Sequence, residues 1–169
     1  MKKITNWYYY PKSDEIPDHL KKIVRIFKIK EKYIKSPENK LKSDEVLSVI
    51  REDLEAMDFR VEKDKKNKIE IPILFGINGK IEKRFEVDGY NKNTQTIIEI
   101  EAGAGVANNQ FLKDLFKACL IKEVQYFIIA VRNDYRGSKN FKKVATFYDA
   151  KYISDRLKLP LKGILLIGY

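Results

Sequence analysis

The stretch FEVDGYNKNTQTIIEIEA, residues 85–102, decides how the rest of this chain is read. It contains the end of one strand, a polar turn over Asn91-Lys92-Asn93-Thr94-Gln95, and a second strand from Thr96 to Ala102. Successive side chains of a strand alternate between faces, so Glu99 and Glu101 share one face while Ile98, Ile100 and Ala102 share the other. On the preceding strand Phe85 and Val87 take one face, and Glu86 and Asp88 the other. Pairing the two strands with their apolar faces together brings Asp88 to the two glutamates. Three carboxylates on one face repel each other and lose solvation, and such a cluster is stable mainly when it holds a hard divalent cation. Oxygen donors without His or Cys select Mg²⁺, with Mn²⁺ able to substitute. The competing explanation is the solvated face of an edge strand. In a basic protein, however, such a face would more naturally alternate Lys with Glu.

Working outward, Ile69 to Phe75 and Lys80 to Tyr90 flank Asn78-Gly79, a strong hairpin signal. Two helices precede the hairpin. From Pro17 the residues Leu20, Ile23, Val24 and Phe27 fall at helical spacing, with Lys21, Lys22, Arg25 and Lys28 between them, and the helix ends before Ser36-Pro37. Ser43 serves as the N-cap of the second, with Asp44 and Glu45 in its first turn and Val46, Leu47, Ile50, Leu54 and Met57 on one stripe. After the hairpin, residues 106–122 form a helix with the stripe Leu112, Leu115, Phe116, Cys119 and Leu120. Tyr126 to Val131 is a buried strand, Arg132 to Lys143 a basic loop, Val144 to Leu157 a helix, and Ile164 to Ile167 a last strand. The chain therefore reads as a single α/β domain: a mixed central sheet begun by an antiparallel hairpin and flanked by helices. Residues 1–42 are an N-terminal arm and basic helix, and residues 43–169 the core. The arm, with Trp7-Tyr8-Tyr9-Tyr10-Pro11, packs on the domain or on a second subunit.

With 169 residues, 44% of them hydrophobic, one well-filled core is possible without staples. Lys and Arg total 34 against 24 acidic residues, a net charge of +10. Such a surplus fits an anionic partner, nucleic acid first among them, because each neutralised phosphate releases a counterion. A merely soluble Lys-rich surface is the alternative. Cys119 is the single cysteine, which excludes a disulfide or thiolate cluster within one chain, and the lone His19 has no second His or Cys nearby for zinc. No run of about 18 apolar residues is present, and a cytoplasmic location is the expectation.

Val87-Asp88-Gly89, the eleven-residue step from Asp88 to Glu99-Ile100-Glu101, and the helix and buried strand that follow resemble the core of the PD-(D/E)XK nuclease superfamily. Within it the pattern is similar to restriction endonucleases of the BglII and BamHI type. The resemblance covers roughly residues 43–132. It implies a restriction-endonuclease-like core and an Mg²⁺-dependent DNA endonuclease that hydrolyses phosphodiester bonds in double-stranded DNA, of restriction type, acting as a homodimer. By the same resemblance Asp88 and Glu99 are metal ligands, the backbone carbonyl of Ile100 is a further ligand, and Glu101 stands where most members have Lys. That is a departure, since a carboxylate cannot stabilise the charge developing on phosphate. Glu101 is then expected to orient or deprotonate a metal-bound water.

Two auxiliary sets follow. Glu45 sits where many superfamily members place another acidic ligand, although helix capping explains it equally well. Lys113 and Gln110 lie on the polar side of the helix after Glu101, where a lysine could replace the missing one, and an ordinary solvated helix face is the competing explanation. Gly103 and Gly105 permit close backbone approach. In the basic loop Arg132, Arg136, Lys139, Lys142 and Lys143 are candidates for groove or phosphate contact. The runner-up reading is a catalytically inactive nucleic-acid-binding protein with the same fold. A third is a structural protein whose charge is incidental.

Overall fold

The computed structural model describes residues 5–169 and shows an α/β architecture, a six-stranded mixed sheet with four helices around it. The arm expected over residues 1–15 becomes, from Asn6 to Tyr10, strand β1; residues 1–4 lie outside the described residues. Then come α1 (Asp18–Ile34), α2 (Ser43–Glu55), the short β2 (Arg60–Val61), β3 (Ile69–Phe75), β4 (Ile81–Val87), β5 (Gly89–Asn91) and β6 (Thr96–Glu101). The chain closes with α3 (Gln110–Leu120), β7 (Tyr126–Val131), α4 (Asn140–Ser154) and β8 (Gly163–Gly168). The sheet order is β1-β8-β7-β6-β5-β2, with β6, β7 and β8 parallel and the remaining pairings antiparallel.

Strands buried on both faces carry continuous apolar runs, which is why Phe127-Ile128-Ile129-Ala130-Val131 and Ile164-Leu165-Leu166-Ile167 are central. Alternation divides them between two cores. Ile98, Ile100, Ile128, Ala130, Leu165 and Ile167 meet α1 and α2 through residues such as Leu20, Phe27, Val46 and Ile50. Ile97, Phe127, Ile129, Val131, Ile164 and Leu166 meet α3 and α4 through Phe111, Leu115, Val144 and Tyr148. The basic helix α1 therefore belongs to the core it was set apart from, and the aromatic arm does too. Tyr10 donates to the Ala145 carbonyl at 3.1 Å and stacks on Tyr152, clamping α4 to the sheet edge.

Four expectations shift. The hairpin does not begin the central sheet: β3 and β4 form a separate two-stranded sheet, and the chain enters the main sheet only at Gly89. Its turn carries positive φ at Asn78 and Gly79, as Asn-Gly predicts, and leaves Leu74, Phe75 and Ile77 exposed. Helix α3 starts at Gln110 rather than 106, because Asn109 adopts a left-handed conformation that stops the helix from extending backwards. Its inward residues are Phe111, Asp114, Leu115 and Ala118, whereas Phe116 and Leu120 of the expected stripe are exposed. Ser43 is the first helical residue of α2, the cap position being Lys42.

Ile128 is fully buried at the sheet centre and Ile77 is 80% exposed. Ile128→Ala is expected to lower the unfolding free energy by ~3 kcal/mol, and Ile77→Ala to change it by no more than ~0.5 kcal/mol. Urea unfolding of the two variants measures this, and equal losses would contradict the core described.

Candidate active site

Strand β4 leaves toward the hairpin just where β5 begins, and this break makes the site. The β5–β6 ladder runs through Gly89↔Ile98, Tyr90↔Ile97 and Asn91↔Thr96 and then loses its partner strand. The Ile100 N–H is satisfied instead by a side chain, donating to Asp88 Oδ2 at 2.7 Å. Asp88 is thereby fixed beside Glu99. Gly89 is required for so close an approach, since a Cβ there would fall 2.7 Å from Ile98 Cγ2.

Glu99 is almost fully buried and points to the α3 face, as strand alternation predicted. Its partner is Lys117 of α3, whose ammonium donates to Glu99 Oε1 at 2.6 Å, to Asp114 Oδ1 at 3.0 Å and to the Glu86 carbonyl at 3.1 Å. Neither Lys117 nor Asp114 was anticipated. Both were legible in principle: three residues apart on a helix they share a face, and taking Phe111, Leu115 and Ala118 as the buried stripe turns that face toward the sheet. The expected stripe, Leu112, Leu115, Phe116, Cys119 and Leu120, shares Leu115 with it, but by taking Phe116 and Leu120 inward it turned that face away.

Glu101, on the same side of β6 as Glu99, is half-buried with its carboxyl beside that of Asp114. Its carboxylate crosses Gly105, where a Cβ would lie 1.9 Å from Glu101 Oε2. Gly105 thus provides the close approach foreseen for the glycine pair, while Gly103 faces open space. Gln110 lies behind this group and donates to Asp114 Oδ1 at 3.4 Å. Lys113 is exposed on the cleft wall, one turn from the lysine that reaches the carboxylates. Glu45 accepts the Lys42 N–H at 2.6 Å, the acidic half of a capping box, so its role in this structure is at the start of α2.

Electrostatically the group is short of positive charge. Burial pushes the Asp88 carboxyl up to about 6, against the pull of the Ile100 N–H. Burial, with Asp114 beside it, pushes Glu101 up to about 8. Burial and the neighbouring Asp88 raise Glu99 well above the usual carboxylate range despite Lys117. For Lys117 burial works against the charge, but Glu99 and Asp114 outweigh it and hold the ammonium protonated. Asp114 Oδ2 is buried without an N–H or O–H partner, a deficit that a protonated Glu101 relieves.

Asp88, Glu99 and Lys117 open into a cleft of about 490 Å³. Lys68, Lys83, Arg84 and Lys113 rim it together with Glu62 and Glu86, Lys68 being paired with Glu86 and Arg84 with Glu70. Among the described residues no three His, Cys, Asp or Glu side chains converge as a metal cage. The donors present nevertheless suit Mg²⁺, which typically keeps several waters and takes one or two carboxylates rather than an all-protein cage.

The basic loop is shorter than expected, ending where α4 begins at Asn140, so Lys142 and Lys143 stand on the first turn of that helix. Lys142 is exposed, Lys143 donates to Ser138 Oγ at 2.8 Å, and Lys139 pairs with Asp134 at 2.6 Å. Arg132 departs most from the free groove contact expected of it: it is buried and donates to the Leu41 carbonyl. No helix is long and apolar enough to cross a membrane among the described residues. Compared with known proteins, the chain matches no family model, no curated protein and no solved structure.

Because the folded state raises Glu101 from its ordinary 4.5 to about 8, it binds more protons than the unfolded chain between those values. Stability from this group is thus full below about pH 4.5 and is lost as pH rises toward 8. Asp88 adds the same sign between 3.8 and about 6. In EDTA the parent should lose several degrees of Tm from pH 5 to 8, and Glu101→Gln should flatten the slope over its upper half. Differential scanning calorimetry across pH checks this; parallel slopes would contradict the Glu101–Asp114 shared proton.

Proposed function

We propose that this chain is a metal-dependent endonuclease that hydrolyses phosphodiester bonds in DNA, built on a restriction-endonuclease-like core of the PD-(D/E)XK type. The meeting of Asp88, Glu99 and Lys117 at the floor of a basic-rimmed cleft carries this reading. A strand carboxylate pair with an adjacent ammonium is what phosphodiester hydrolysis asks for. The lysine missing at Glu101 is supplied from the neighbouring helix, by Lys117 rather than Lys113.

Asp88 and Glu99, with the Ile100 carbonyl, would hold Mg²⁺, which when bound neutralises phosphate charge and lowers the pKa of the attacking water. Lys117 keeps Glu99 aimed at the cleft. Its bond to the Glu86 carbonyl is the neutral one of its three, and hence the one a phosphate oxygen replaces most readily, placing positive charge where negative charge develops. Glu101 sits behind this group and shares its proton with Asp114, so it orients the first row of carboxylates rather than acting as the sole base. Lys83 and Lys113, which carry no carboxylate partner among the described ion pairs, attract the polyanion to the cleft. A homodimer would match two strands of opposite polarity in a duplex.

One observation favours the second reading, a nucleic-acid-binding protein of the same fold without hydrolysis: Glu101, which cannot stabilise charge developing on phosphate, stands where most members of the resembled superfamily have Lys. Incubation of supercoiled plasmid with the protein in Mg²⁺ or Mn²⁺ separates the two. The parent should nick, EDTA should abolish nicking, and Glu99→Ala and Lys117→Met should each lower the rate by ~100-fold or more while still melting cooperatively. Lys113→Ala should cost far less. Absence of nicking in either metal, with salt-sensitive binding retained, would select the binding protein.

A further inference from the structure

At the C-terminal ends of β6 and β7, a second cavity of about 660 Å³ lies between the loop after β7 and the start of α2. None of its lining residues lines the catalytic cleft. Ala102 and Gly103, directly after Glu101, form its floor, and Lys40, Lys42, Arg132 and Arg136 supply its charge. Asp134 is the one acidic lining residue, and it is neutralised by Lys139 at 2.6 Å and by the Gly137 N–H at 3.0 Å.

Arg132 is the telling residue. The residue is only 8% exposed, its Nε is buried with no partner, and its guanidinium meets neutral groups, the Leu41 carbonyl, to which it donates, and the Tyr169 hydroxyl. A buried cation without an anion is costly, because desolvation is not repaid by ion pairing. Tyr135 lies between it and Arg136, with guanidinium carbons 5.4 and 5.3 Å from the ring centroid, so both cations are held at the cavity wall before any ligand arrives. Planar guanidinium forks match the paired oxygens of a phosphate. The volume greatly exceeds that of phosphate alone and lies within the range of small-molecule sites.

We propose that this cavity binds a nucleotide of the nucleic acid through its phosphate, Arg132 and Arg136 taking the phosphate oxygens and Lys40 and Lys42 the surrounding charge. The inference rests on the reading of the chain as a nucleic-acid-acting protein, but requires no cleavage. The bound phosphate belongs either to a strand end or to the interior of a strand.

Calorimetric titration of the full chain in EDTA tests it, with inorganic phosphate, a nucleoside 5′-monophosphate and a dinucleoside monophosphate without terminal phosphate as probes. Arg132 is too deeply set to replace safely, so two other variants are used. Lys40→Glu with Arg136→Glu reverses charge on exposed wall residues, and Gly103→Leu fills the cavity from a position where an added Cβ meets nothing within 4 Å. The parent should bind a nucleotide probe more tightly than inorganic phosphate, and each variant should weaken that binding about tenfold or more with Tm retained. Preference for the monophosphate assigns the site to a strand end, and preference for the dinucleoside to an internal phosphate. No nucleotide binding at millimolar concentration, or equal binding by parent and both variants, overturns the proposal. Neither metal nor hydrolysis enters the measurement, so failure of cleavage and failure of this site are separately visible.

Discussion

The three contacts of the Lys117 ammonium, to Glu99, Asp114 and the Glu86 carbonyl, hold the candidate site together. Glu99 lies on a central strand beside Ile97, which on that same face is packed in a core with Phe127, Ile129 and Leu166. A carboxylate in such surroundings is stable as an anion only with a counterion and hydrogen bonds. Lys117 provides both, and in doing so ties α3 to β6 and to the end of the departing strand β4. The remaining acidic groups, Asp88 and Glu101, have no cation of their own. The group is consequently electron-rich and open to a cation or to protons.

The departure of β4 from the main sheet has an equal share in this. Had β4 and β5 continued as one strand, the Ile100 N–H would have been taken by a backbone carbonyl and Asp88 would have been an ordinary strand residue. Because the hairpin leaves as its own two-stranded sheet, the ladder ends early and the carboxylate of Asp88 replaces the missing partner. The site thus sits at a defect in the sheet, with the hairpin supplying one wall of the cleft through Lys83, Arg84 and Phe85. Just past the same C-terminal end of β6 a second cavity begins within two residues of Glu101, so one strand serves two differently charged surfaces.

Much of this was legible along the chain. Strand alternation placed Glu99 and Glu101 on one face, the Asn78-Gly79 turn and the polar loop 91–95 placed both reversals, and continuous apolar runs identified β7 and β8. The misreadings have one cause. Local pattern gives the period of an element but not the phase at which it docks. In α3 two overlapping apolar stripes share Leu115, one running through Leu112, Phe116, Cys119 and Leu120 and one through Phe111 and Ala118. Only contact with the sheet selects the second, and with it Lys117 over Lys113. Arg132 and Lys142 look alike in a basic loop, yet one is buried under Leu41 and the other is solvated.

By itself the sequence determined the alternation of β6, the α/β class, the positive charge and the absence of His and Cys clusters, because these follow from periodicity and composition. Tertiary structure alone decided that Asp88 caps an interrupted ladder, that Lys117 neutralises Glu99, and that Arg132 faces a cavity without an anion. Each of these depends on residues brought together from distant segments, and burial, which sets the strength of every charge interaction among them, is a property of the packed molecule.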